Sequence, residues 1–282
     1  MTEWEVVGRI GGKSVRNQAM EGPDRIQSEY NWQVMRGFLI ALACCRCAFA
    51  LNPSLAISQY AHKAWTVRDG FFKGAVGSIA QTPDGYLWLA TEFGLIRFDG
   101  IQEVPWRPPK GEDLPDNWVT YLIASRNGCL WIGTHNGLAS WKEGRSTRYP
   151  ELDGLAVQSV LEDREGTIWA GATTINAGRL CAIRSGGVAC AGQDGSLGNG
   201  VLSLYEDATG ALWAGAGTGV WRWRPDPPKL YPAPEGLPEI LSLIRGDNGA
   251  LWIAVHGGIH AWLADRALDG SNGWRDAAVR RD

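Results

Sequence analysis

Two histidines are the first residues whose type and spacing could do chemistry. His135 and His256 each follow an apolar run led by a tryptophan, in Trp131-Ile-Gly-Thr-His135 and Trp252-Ile-Ala-Val-His256. Paired imidazoles can ligate zinc or move a proton near neutral pH. A zinc site, however, needs at least three protein ligands at a defined spacing, and neither histidine has such company. No metal site is therefore expected, and the pair reads as exposed loop residues. In other copies of the pattern the same loop position holds Glu92 and Phe93, Asn136 beside His135, and Thr174 with Asn176. These are the candidate ligand contacts, and none is expected to be catalytic. Asp84, Asp163 and Asp207 also recur, but each lies beside a turn glycine. There an aspartate side chain helps to form the turn, so they read as structural.

The elements that must position these loops are repeats. The tryptophan recurs at Trp88, Trp131, Trp169, Trp213 and Trp252, with gaps of 43, 38, 44 and 39 residues. Around it the first unit reads VGSIAQTPDGYLWLATEFGLIRF from Val76, and the second VTYLIASRNGCLWIGTHNGLASW from Val119. The others begin at Val157, Val201 and Ile240. Each has an alternating apolar strand, a turn pair such as Asp84-Gly85 or Asn127-Gly128, the tryptophan strand, and a third strand opening on a glycine. The third strands start at Gly94, Gly137, Gly178, Gly219 and Gly258, and the fourth strand is the least regular. A period near 40 residues with about four strands per unit predicts the blades of a β-propeller. A β-sandwich with coincidental spacing is the alternative. Stacked sheets lie about 10 Å apart, a gap that an indole fills, while the small residues after it permit close approach.

The segment Asp84-Gly85-Tyr86-Leu87-Trp88-Leu89-Ala90-Thr91-Glu92-Phe93-Gly94-Leu95-Ile96-Arg97-Phe98-Asp99-Gly100 resembles the two-component regulator propeller repeat. Trp65-Thr-Val-Arg-Asp69-Gly70 resembles the opening of that family's first blade. The resemblance covers about residues 60–263. It implies an extracytoplasmic sensor region of a bacterial histidine kinase or hybrid sensor, a small extracellular ligand such as an oligosaccharide, and a receptor dimer in a full-length form. Family members usually carry about twice as many blades, then an immunoglobulin-like module, a membrane span and a kinase core. None of these is legible after Trp262, so the chain is expected to be a sensor fragment or a stand-alone remnant, not a kinase. The fifth unit shows no clear fourth strand. The strand-like segment from Tyr60 to Val67 could complete it and latch the ring, but an incomplete ring of about five blades is the favoured expectation.

Near the amino terminus, Met35-Arg36, the apolar run Gly37 to Cys45 and Ala48-Phe49-Ala50 resemble a secretory signal peptide cut before Leu51. The run is too short to span a bilayer. A buried helix or a lipoprotein signal using Cys44 or Cys45 are the alternatives. Residues 1–34 then read as an extension that contributes nothing to the fold, 35–50 as the signal and 51–59 as a linker. Blades fall near 76–106, 119–150, 157–193, 201–232 and 240–263, and 264–282 as an irregular tail. Of the six cysteines, Cys129, Cys181 and Cys190 would remain after export to an oxidising periplasm. A two-residue loop at Ser185-Gly186 sets Cys181 opposite Cys190 in a non-hydrogen-bonded pair, close enough for a disulfide. A loop centred on Gly186-Gly187 would break that register. Cys129 reads as a small buried apolar residue.

The composition fits this reading: 37 glycines and 15 tryptophans with only 20% charged residues suit many turns between short strands. A net charge of −3 with no basic cluster leaves no electrostatic footprint for nucleic acid. No cofactor is expected. Three functions are weighed: a periplasmic ligand-sensing propeller, a streptogramin-lyase-like propeller enzyme, and a protein–protein scaffold. The lyase would need a clustered acid, base and metal on one face, which four histidines do not supply.

Overall fold

A turn glycine and an indole make each unit. The computed structural model describes residues 65–262, apart from 67, 69, 71, 72, 176, 226, 234–238, 247–250 and 257, together with a strand at 274–276. The signal, its upstream extension, the linker and residues 60–64 lie outside the described residues. Among those described, the chain forms five four-stranded antiparallel sheets, each a simple up-and-down meander. The first is β1(Ser78–Gln81), β2(Leu87–Thr91), β3(Gly94–Phe98) and β4(Glu103–Trp106); the second is β5(Val119–Ala124), β6(Leu130–Thr134), β7(Gly137–Lys142) and β8(Arg145–Tyr149). A one-turn 3-10 helix, Pro150–Leu152, leads to β9(Ala156–Glu162), β10(Ile168–Thr173), β11(Arg179–Arg184) and β12(Gly187–Ala191). The fourth sheet is β13(Val201–Glu206), β14(Leu212–Ala216), β15(Gly219–Arg222) and β16(Lys229–Pro232); the fifth is β17(Ile240–Arg245), β18(Leu251–Val255), β19(Gly258–Trp262) and β20(Trp274–Asp276). The first strands pack side by side in chain order, and no contact of comparable extent joins β17 back to β1. Among the described residues the sheets do not close into a ring.

Two expectations change. The segment expected to be an irregular tail supplies the fifth sheet's fourth strand, with Trp274 pairing opposite Trp262. It escaped the sequence pattern because eleven intervening residues, 263–273, replace the short hairpin found elsewhere. The third strand of the third sheet begins at Arg179 and not at Gly178.

In the first four sheets a five-residue loop built on a tight turn joins the first two strands. Gly85, Gly128, Gly166 and Gly210 all have φ between +80° and +89°, where a side chain would be strained. Their amides donate to Thr82, Ser125, Asp163 and Asp207 carbonyls at 2.8–3.0 Å. Three of these four residues, each six before its tryptophan, meet the indole. Asp163 Oδ2 accepts from Trp169 Nε1 and Asp207 Oδ2 from Trp213 Nε1, both at 2.8 Å. Thr82 Oγ1 accepts from Trp88 Nε1 at 2.8 Å. Asp84 is therefore not the counterpart of Asp163 and Asp207; it lies two residues on, where it accepts from Thr82 Oγ1 at 2.5 Å.

The tryptophans of the first four sheets are pressed between sheets. Trp88 shares a buried cluster with Leu122, Leu130 and Ile132 of the second sheet, and Trp131 with Val157, Val160 and Ile168 of the third. Trp169 packs with Val201, Leu212 and Ala214, and Trp213 with Ile240, Leu243 and Ile253. Two residues past the tryptophan, Gly133, Gly171 and Gly215 admit the next sheet: a Cβ there would stand 2.9, 2.8 and 2.6 Å from Val157, Val201 and Ile240 side-chain carbons. An arginine clasp repeats outside. Arg126 reaches Glu162 and the carbonyls of Asp163 and Arg164, and Arg164 does the same to Glu206, Asp207 and Ala208. β11 and β12 pair Arg184 with Gly187 and Cys181 with Cys190, and the two cysteines form a disulfide. Cys129 is a free buried thiol whose pKa burial raises.

Candidate functional site

The loops between second and third strands present the candidate residues. In the first three sheets a threonine at or just past the end of the second strand shapes the loop. Thr91 Oγ1 accepts from Phe93 N at 3.2 Å and donates to Gly94 O at 2.7 Å. Thr134 Oγ1 accepts from Asn136 N at 3.3 Å and donates to Gly137 O at 2.8 Å. Thr174 Oγ1 accepts from Ala177 N at 2.9 Å and donates to Ala177 O at 2.8 Å. With its ends tied, the two-residue tip points outward: Glu92, Phe93, His135 and Asn136 are exposed. Thr174 thus acts as loop scaffolding, and Asn176 lies outside the described residues.

The connectors from fourth strand to next first strand support these tips. Phe93 lies over Gly74, where a Cβ would stand 2.8 Å from its ring, and Glu92 Oε1 is 3.0 Å from the same point. His135 N donates to Trp118 O at 2.9 Å. Its imidazole stacks on the Trp118 indole, with ring centroids 4.7 Å apart and planes 12° from parallel. Phe93 is 65% and Trp118 48% exposed, so both rings face solvent. Trp118 was not singled out by its sequence, because it precedes the repeat and meets His135 only through the fold.

Beside these rings lies a concavity of about 920 Å³ between the Phe93 loop and connector residues 107–117. Phe93, Trp106, Arg107, Lys110 and Asp113 line it together with Glu103, whose buried Oε2 has no hydrogen-bond partner. Aromatic surface next to fixed charges can hold a polar, ring-containing ligand. His256 is exposed on the fifth sheet and His135 on the second. Among the described residues no group of three or more His, Cys, Asp or Glu side chains comes together to hold a metal.

Residues 70–93 and 113–136 match the family model described as two component regulator propeller. These two units are regulator propeller repeats. The matched spans run from the connector through the Phe93 and Asn136 tips, so the regulator propeller pattern includes the loop carrying the candidates. Solved structures share the fold. The extracellular domain of a hybrid two component system from B. thetaiotaomicron has 21% identity and a TM-score of 0.56 over 67% of this chain and 27% of its own. A second such domain from that organism has 18% identity and a TM-score of 0.60 over 72% and 30%. A streptogramin B lyase has 20% identity and a TM-score of 0.56 over 73% and 70%. The chain thus spans less than a third of the two receptor domains. Among curated proteins the sequence finds no match.

Proposed function

We propose that this chain is an exported, ligand-sensing regulator propeller serving a two-component receptor. The observation behind this reading is the placement of Phe93, inside a matched repeat and exposed on the wall of a cavity of about 920 Å³. The ligand is a small extracellular molecule with flat apolar faces and hydroxyls, of the oligosaccharide class. Its rings would stack on Phe93 while the Glu103 carboxylate and the cavity cations take its polar edge. The chain supplies recognition and no chemistry, and a kinase partner converts binding into phosphorylation. In a full-length receptor the propeller works as a dimer.

The shared fold with streptogramin B lyase favours one second reading, a lyase acting through His135 or His256. One experiment separates the two. An oligosaccharide panel is titrated calorimetrically against the protein, Phe93→Ala and Glu103→Gln. Binding that weakens at least about tenfold in both variants supports sensing. Turnover of a streptogramin B with no sugar binding would replace sensing with catalysis, and neither result would leave the scaffold reading.

A further inference from the structure

The two ends of the sheet stack are halves of the interface that the chain uses internally four times. In the first four sheets the tryptophan-bearing face is sealed by the aliphatic face of the next sheet. Among the described residues no further sheet covers that face of the fifth sheet. Ser242, Ile244, Trp252, Ala254 and Ile259 line a shallow concavity of about 550 Å³. Ile244, opposite Trp252, is 63% exposed.

Among the described residues β20 pairs with β19 from His260 to Trp262, one position short of Ile259. In the first, second and fourth sheets an aromatic sits there: Trp106 opposite Leu95, Tyr149 opposite Leu138, and Tyr231 opposite Val220. Ile259 is 46% exposed where Leu138 is 0%.

The reciprocal surface lies at the other end. Ile79 holds the position of Leu122, Val160 and Leu243, each paired to the residue after the strand's tryptophan. Those three are 3%, 3% and 7% exposed, whereas Ile79 is 60% exposed. Trp65 fills part of this end. It packs edge-on against Phe98 at 5.1 Å, much as Trp106 meets Trp141 at 6.0 Å. A fourth-strand aromatic is thus mimicked, while among the described residues no tryptophan strand covers Ile79.

We infer that the fifth sheet of one copy docks on the first sheet of a second copy, with Ile244, Trp252 and Ile259 covering Ile79. The four internal interfaces specify the chemistry that covers a tryptophan face, namely an aliphatic sheet face, and this chain itself carries one uncovered. The contact is heterologous, since different patches meet, so it can propagate beyond two copies.

Sedimentation velocity of the full chain over a range of concentrations tests it. The wild type should show association that grows with concentration. Ile79→Asp and Ile244→Asp should each weaken it at least about tenfold. Mixed in equal amounts, they should form a two-chain complex and nothing larger, because one good end survives on each. Ile79→Cys and Ile244→Cys make the same test without a buried charge: oxidised together they should cross-link, and separately they should not. A wild type that stays monomeric, a mixture of the aspartate variants that does not pair, or cross-links formed by one cysteine variant alone would each overturn the contact.

Discussion

The indole of Trp169 donates to Asp163 Oδ2 at 2.8 Å, which ties the residue that fills the gap between sheets to the hairpin preceding it. Asp163 is fully buried and also accepts from the amides of Glu165 and Thr167 and from Arg224 Nη2. Asp207 repeats the turn and indole bonds from a more open position. Asp163→Ala strands an indole, two amides and a guanidinium, and should cost about 3–5 kcal/mol. Asp207→Ala should cost about 1–3 kcal/mol. Urea unfolding of the two variants checks the order, and equal losses would count against it.

In the second sheet the equivalent residue is Ser125, whose hydroxyl is engaged by Asn127 Oδ1 and Cys129 O. Trp131 Nε1 is left buried without a partner. Ser125→Asp copies the third sheet and should stabilise the protein by about 1 kcal/mol, read as a higher urea midpoint with an unchanged slope.

Burial pushes the Asp207 carboxyl up, but hydrogen bonds from Thr209, Trp213 and Ala211 outweigh it and hold the group below its ordinary range. A depressed carboxylate contributes stability that is present above its unfolded pKa, about 3.9, and is lost as pH falls through the lower folded value. Asp207→Asn should therefore be less stable than wild type at pH about 5.5, with the gap shrinking as pH falls below about 4. Chemical denaturation at both pH values reads it, and a gap that widens in acid would contradict the assignment.

Gly171 has no room for a methyl group, because a Cβ would stand 2.7 Å from Val201 O, a backbone atom of the next sheet. Gly171→Ala should cost about 1–3 kcal/mol. Gly186→Ala, at a hairpin tip with nothing within 4 Å, is the control and should stay within about 0.5 kcal/mol. Thermal denaturation of the pair gives the comparison.

The Cys181–Cys190 bridge closes a short loop, with a sequence separation of 9. Cys181→Ala with Cys190→Ala should lower stability by about 2.5 kcal/mol, and a reducing agent should do the same to the wild type but nothing to the variant.

How much of this was legible follows from distance along the chain. The meanders, the turn glycines and the pairing of Cys181 with Cys190 depend on neighbours a few residues apart, so alternation and turn chemistry expose them. The role of Thr82 as a substitute for aspartate was hidden, since hydroxyl and carboxylate share a task but not a residue type. β20 was hidden by the length of the segment before it. The candidate site was half legible. The variable tips at Phe93 and His135 stand out against the repeat, but Trp118 joins His135 from outside the pattern, and the buried Oε2 of Glu103 is a property of packing alone.

The side-by-side order of the sheets also governs how the molecule is made. Each sheet contacts mainly its sequence neighbours, so contact order is low and no sheet waits for a distant segment. A chain emerging amino terminus first can complete one meander, expose its indole face, and have the next meander condense onto it. The growing end is always the adhesive one, and a chain halted after any earlier sheet carries the same kind of apolar surface as the fifth sheet.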